Sequence, residues 1–196
     1  MNGYNKILLV AFILLIISYI NEKSRLPFNN NLNIKQYIYI YLLRYFHLVI
    51  YLLSTFYLFF FNGYGTNLDI YIYLIIALFS VIGWAIFDCC WLSYVELLFY
   101  NINLEKVKTT FHPTFYSVFN NYYKLVFLLS GILYFFNVTI LLYHLKTIKV
   151  VYKLLYYVLF VSLILYSNTF IYRTIYYSSE NKSLLFIKNL YKKFYL

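Results

Sequence analysis

Four side chains in this sequence could do chemistry where a charge is costly to keep. Arg44 and His47 interrupt the apolar run 37–61, and Asp88 and Glu96 interrupt the run 70–100, IYIYLIIALFSVIGWAIFDCCWLSYVELLFY. Both runs are long enough to cross a bilayer, whose hydrocarbon core of ~30 Å takes about 20 helical residues. An unpaired charge at that depth costs at least ~2.5 kcal/mol on insertion scales, so pairing is expected. Between the runs lies Asn62-Gly63-Tyr64-Gly65-Thr66-Asn67, a turn rich in residues that tolerate positive φ. An antiparallel hairpin folded about that turn brings Arg44 level with Asp88, Lys35 with Glu96 and His47 with Trp84. The functional reading is a proton or ion relay, or a polar substrate pocket, made by Arg44, His47, Asp88 and Glu96. The structural reading is an ion pair that fixes hairpin register, with Arg44 and Glu96 partly reaching the headgroups.

Other reactive residues give weaker patterns. The cysteines are adjacent, at 89 and 90, so no disulfide framework exists within one chain. Ala85, Cys89 and Ser93 recur every four residues, a small-residue stripe that permits close helix approach. Cys89 is most simply a packing residue on that stripe. Thiolate binding of a metal with Asp88 and His47 lacks diagnostic spacing. His112 and His144 fall on opposite faces of the membrane, so haem has no clamping pair. His112-Pro113 reads as a turn in a loop. Gly-rich phosphate loops, His-Glu-x-x-His and Gly-x-Ser-x-Gly are absent. No catalytic residue, metal or cofactor is expected.

The elements that must hold these residues are apolar helices. The chain has 196 residues, 64% of them hydrophobic and only 11% charged, where soluble domains run near a quarter charged. A soluble fold of this size could not bury so much apolar surface. The first apolar run is 7–20, preceded by Lys6 and followed by Asn21-Glu22-Lys23-Ser24-Arg25 with no small-x-small cleavage pattern. It is expected to stay as an anchor. A polar connector at 26–36 leads to the second and third runs. The next connector, 101–124, carries Glu105, Lys106, Lys108, His112 and Pro113, and 109–114 is expected to be non-helical because Pro113 restricts His112. Runs four and five are 125–143, containing Asn137, and 150–172. Tyr37, Tyr39 and Tyr41 alternate, but the alternation dies too soon for a transmembrane strand. The expected fold is all-α: one integral membrane helical bundle with 4-5 transmembrane helices, spanning residues 1–196, with a basic tail from about 173.

Sixteen Lys and Arg face six acidic residues, a net charge of +10. In a soluble protein that excess suggests nucleic acid; here the basic residues edge the apolar runs, so no nucleic-acid partner is expected. Eleven of them fall in the 26–36 region with its approach, the 101–124 connector and the tail, and four on the other side. The positive-inside rule places the richer side, with the C-terminus, in the cytoplasm. In 183–196, Leu184, Ile187, Leu190 and Phe194 recur at helical spacing with Lys188 and Lys192 on another face. That pattern suits a helix lying on the anionic cytoplasmic leaflet.

The stretch from Gly83-Trp84 through Asp88-Cys89-Cys90-Trp91-Leu92-Ser93-Tyr94-Val95-Glu96 resembles short Trp…Cys-x-Leu-Ser/Thr-x-x-Glu segments in small uncharacterised multi-pass membrane proteins, including ones of giant DNA viruses. In those, too, a histidine sits in the preceding helix, as His47 does here. The resemblance implies no known activity; the spacing to Ser93 favours Cys90 as the equivalent cysteine. The Tyr-, Phe-, Ile-, Leu-, Asn- and Lys-rich composition also suits an AT-rich genome, such as those of many large DNA viruses or some parasitic protists. The expected role is a non-enzymatic structural or scaffolding membrane component, with membrane-protein partners or a second copy of itself. The alternative is a small ion- or proton-coupled transporter or channel using Asp88, Glu96 and His47. An intramembrane enzyme ranks last, because no nucleophile–base pair is evident in the sequence.

Overall fold

The computed structural model describes residues 2–25, 32–61, 64–87, 90–100 and 112–166. Asp88, Cys89, residues 101–111 of the connector and the tail with its amphipathic pattern lie outside the described residues. The helices are α1 (Gly3–Arg25), α2 (Ile34–Phe60), α3 (Asn67–Phe87), α4 (Trp91–Phe99), α5 (Pro113–Phe119), α6 (Tyr123–His144) and α7 (Val150–Tyr166), with a 3-10 turn at Asn120–Tyr122. No strand occurs among the described residues. Four stretches are long and apolar enough to cross a membrane: Gly3–Glu22, Ile34–Phe60, Asn67–Ala85 and Pro113–His144; Val150–Ile164 is a shorter apolar helix. This is an integral membrane helical bundle.

The outer surface agrees with lipid as solvent. Leu9, Phe12, Ile13, Ile20, Phe46, Phe59, Ile75, Phe79, Leu154 and Leu155 are all exposed. A monomer in water rarely shows contiguous apolar surface of that extent. The inward face of α1 is instead Ile7, Ala11, Ser18 and Glu22, all buried. Their spacing is that of one helical stripe, and it packs on α2.

Side-chain contacts give the directions. Gly3 abuts Phe60 and Phe61, while Glu22 reaches Arg44, so α1 runs antiparallel to α2. Tyr73 donates to the carbonyl of Ser54, which sets α3 antiparallel to α2. Tyr51 meets Ser130 at 2.7 Å and Tyr64 stacks on His144, so α6 runs parallel to α2. The N-terminus, the turn before α3 and the α6–α7 turn therefore share one end of the bundle.

Local signals explain several boundaries. Asn33 caps α2 reciprocally with Gln36, each side chain taking the other's backbone N–H at 2.9 Å. Gln36, read from sequence as connector, is thus in the first turn of the helix. Thr66 and Asp69 close the start of α3 the same way, after Tyr64 and Gly65 at φ 75° and 73°. Within α2, Phe56 leaves helical geometry (φ −115°, ψ 22°). A helix irregularity in lipid needs its freed carbonyls satisfied. Asn137 of α6 does this, donating to the carbonyls of Thr55 at 2.8 Å and Ser54 at 3.1 Å.

Three sequence expectations need correction. The run 70–100 is not one helix: α3 ends at Phe87, Cys90 is non-helical and α4 begins at Trp91. The rings of Phe79 and Trp91 lie 5.5 Å apart, whereas twelve residues of straight helix separate them by ~18 Å. So α4 starts set back, level with Gly83, and then runs antiparallel to α2 as α3 does, its Cys90, Glu96 and Phe99 meeting His47, Arg44 and Gln36 in turn; Ala85 and Ser93 do not share one continuous helix. Next, Pro113 does not break structure here. It sits at the first helical position, where its fixed φ favours initiation, and α5 with buried Thr114, Phe115 and Ser117 belongs to the core. Finally, the hairpin register fails for Glu96. Lys35 is exposed near the start of α2, and Glu96 is fully buried on Arg44 instead.

Candidate functional site

Arg44 is the eleventh residue of α2, about 15 Å along its axis by helical rise, and is completely buried. Its guanidinium is held on three sides. Nε donates to Glu96 Oε1 at 2.6 Å, Nη1 to Glu22 Oε2 at 2.8 Å and Nη2 to the Tyr100 hydroxyl at 2.5 Å. Nη1 also reaches Ser18 Oγ at 3.2 Å. The Tyr41 ring lies 5.3 Å from the guanidinium carbon. One residue thereby ties α1, α2 and α4 together.

The two carboxylates are satisfied in turn. Glu22 accepts from Arg44, from Tyr100 at 2.7 Å and from the Tyr41 hydroxyl. Glu96 accepts from Arg44 and, through Oε2, from Thr114 Oγ1 at 2.5 Å. Buried charges at this depth are tolerated only when paired and hydrogen-bonded. Both conditions hold for this triad.

From Thr114 the network continues one turn beyond Arg44. Thr114 Oγ1 lies 3.2 Å from His47 Nδ1, and His47 Nε2 lies 3.2 Å from Cys90 Sγ. A hydroxyl carries one proton, and that of Thr114 is given to Glu96. Toward His47 it can only accept, so Nδ1 carries the imidazole proton and Nε2 presents its lone pair to the thiol. Beside this chain, Ser93 Oγ and His112 Nδ1 are 3.0 Å apart, and Ser117 joins Ser18 at 2.7 Å. Cys90 and His47 also line a cavity of about 60 Å³, walled by Trp84, Trp91, Phe115 and Phe127.

Of the four residues proposed from sequence, the structure brings Arg44, His47 and Glu96 into one network; Asp88 lies outside the described residues. Arg44 pairs with Glu96 and Glu22; the expected Arg44–Asp88 pairing falls on a residue outside the described ones. Glu22 was missed because the first apolar run was ended at Ile20; its place on the Ile7-Ala11-Ser18 stripe was the available signal. Taking Pro113 as a breaker hides Thr114 and His112. His112 is non-helical, as expected, but it is the N-cap of α5 and is buried. Cys90 and His47, which no spacing in the sequence links, are in contact. Among the described residues, no three of His, Cys, Asp and Glu group as a metal would need.

Comparison with known proteins adds no assignment to this geometry: no family model matches the chain, and no curated protein or solved structure matches it.

Proposed function

We propose that this multi-pass membrane protein is a structural or scaffolding component, and that its buried charges form a fixed clamp rather than an ion pathway. The observation that carries this reading is the closure of the triad. Arg44 and Glu96 are wholly buried and their charges meet each other directly. A conducting carboxylate needs a wet face from which to load and release its ion, and the described contacts of Glu96 are Arg44 and Thr114. The clamp joins the first helix to the middle of the bundle, as a register-setting device would.

In this reading the end of the bundle that carries Glu22 and His112 faces the cytoplasm, following the excess of Lys and Arg in the connectors on that side. Anionic lipid is the natural partner of those basic residues, worth roughly 1 kcal/mol for each near the surface.

Vesicles reconstituted with the full chain and loaded with a pH-sensitive dye test the proposal. An imposed proton gradient is expected to decay at the rate of protein-free vesicles. Faster decay that Glu96→Gln abolishes would overturn the clamp in favour of proton transport.

A further inference from the structure

We propose that Cys90 and His47 form a thiol–imidazole acyl-transfer centre, acting on an acyl ester dissolved in the membrane. This goes beyond the clamp, which needs neither the thiol nor its contact with the imidazole.

Three independent features build the site. The first is the pair itself, with Sγ 3.2 Å from Nε2, the reach at which a base activates a nucleophile. The second is the third member of the chain. Glu96 takes the Thr114 proton, Thr114 takes the Nδ1 proton, and the basic nitrogen is left facing sulfur. A packing contact between cysteine and histidine has no need of a fixed tautomer; a general base does. The third is the cavity that both residues line. Its aromatic walls suit an acyl group. Gly131 lines it on α6, where no atom lies within 4 Å of the position a Cβ would take. Since Gly131 is exposed on the outer surface, the wall is thin there, and an acyl chain can extend from the cavity into lipid. About 60 Å³ accommodates the carbonyl end and not the whole substrate.

The step conserves atoms and electrons. As Sγ attacks the acyl carbon, Nε2 takes the thiol proton and the carbonyl π pair moves onto oxygen. When that pair returns, the C–O bond to the alcohol breaks, and the leaving oxygen takes the proton from Nε2. The product is an acyl thioester on Cys90. Water or a second alcohol, deprotonated by the same nitrogen, releases the acyl group and restores the thiol. Nothing is oxidised or reduced. Thr114 and Glu96 act as positioning residues through His47.

The test uses full-length protein in detergent micelles, in a Cys89→Ser background, with 4-nitrophenyl octanoate as the probe. A burst of one equivalent of nitrophenol is expected, with an octanoyl mass added to the Cys90 peptide and removed by hydroxylamine. Cys90→Ser should lose the hydroxylamine-labile adduct. His47→Gln should slow the burst on the order of 100-fold, the usual share of a general base. Thr114→Val should slow it about tenfold, less than loss of the base itself, and shift its pH profile, while Thr114→Ser restores both. Melting curves identify which variants remain folded. No adduct on Cys90 of the parent would overturn the proposal. So would a folded His47→Gln variant that acylates at the parent's rate, or folded Thr114→Val with the parent's pH profile. The vesicle proton assay reads the clamp separately, so the failure of either idea is visible without the other.

Discussion

Arg44 Nε lies 2.6 Å from Glu96 Oε1, although the two residues are out of step by two helical turns for a simple hairpin of α2 and α3. The offset between α3 and α4 makes the contact. α3 ends at Phe87, Trp91 is set back against Phe79 and Gly83, and α4 then runs antiparallel to α2, which places Glu96 beside Arg44 rather than two turns past it. Glu22 arrives from the other side on α1. The guanidinium is thus the meeting point of three segments that are far apart in sequence.

Replacement of Arg44 should cost more than replacement of Glu96. Arg44→Leu leaves two buried carboxylates without their cation, whereas Glu96→Leu leaves Arg44 still paired with Glu22. A lone buried charge is worth about 3 kcal/mol of destabilisation. Unfolding in detergent should show Arg44→Leu as the most damaging single change. Arg44→Leu combined with Glu96→Leu should lose clearly less than the two losses added. Simple additivity in the double-mutant cycle would mean that the two groups do not interact.

The kink in α2 predicts a different dependence. Asn137 serves the carbonyls of Ser54 and Thr55 where Phe56 leaves the helix. Asn137→Leu keeps the volume and removes both donors. It should cost about 1–2 kcal/mol, the range measured for interhelical hydrogen bonds in membranes. Tyr73→Phe removes the hydroxyl that also serves Ser54 and should cost less, because Asn137 remains. Equal stability of Asn137→Leu and the parent would show that the kink is satisfied without it.

The apolar runs, their number and the sharing of ends were legible in the sequence because lipid imposes a length and a composition on each span. Arg44, His47 and Glu96 stood out for the same reason, as polar groups where polar groups are expensive. What was not legible is where a helix stops inside an apolar run. Trp91 carries no breaker signal, and the break before it is set by tertiary packing against Gly83. Pro113 shows the converse error: its missing N–H is harmless at a first helical position, so the residue that ends one helix can begin another. Those two boundaries decided the partner of Arg44 and hid Thr114, and with it the chain from Glu96 to Cys90.

Orientation can be measured directly. Thr66 stands at the end of the bundle shared by the N-terminus and the α6–α7 turn, and Thr110 lies in the basic connector. With Cys89→Ser and Cys90→Ser as background, single cysteines at the two positions are exposed to an impermeant maleimide on intact cells. The charge count predicts labelling at 66 and none at 110. Labelling confined to 110 would invert the protein.

The set-back start of α4 rests on a glycine, which gives the sharpest test of the architecture. A Cβ at Gly83 would stand 2.5 Å from Trp91 Cδ1 and 3.2 Å from Cγ. Those atoms belong to a rigid ring wedged between Gly83 and Phe79, not to the end of a flexible chain. Gly83→Ala should therefore push α4 outward and carry Glu96 off Arg44, despite the better helix propensity of alanine, which favours the substitution by about 1 kcal/mol. Overpacking of this kind costs typically 1–3 kcal/mol, and loss of the ion pair adds to it, so the net sign is destabilising. Trp91→Ala in the same chain removes the clash and should return much of the stability. If α4 instead continued α3 as one straight helix, Gly83 and Trp91 would not meet. Gly83→Ala would then stabilise the protein, and Trp91→Ala would rescue nothing.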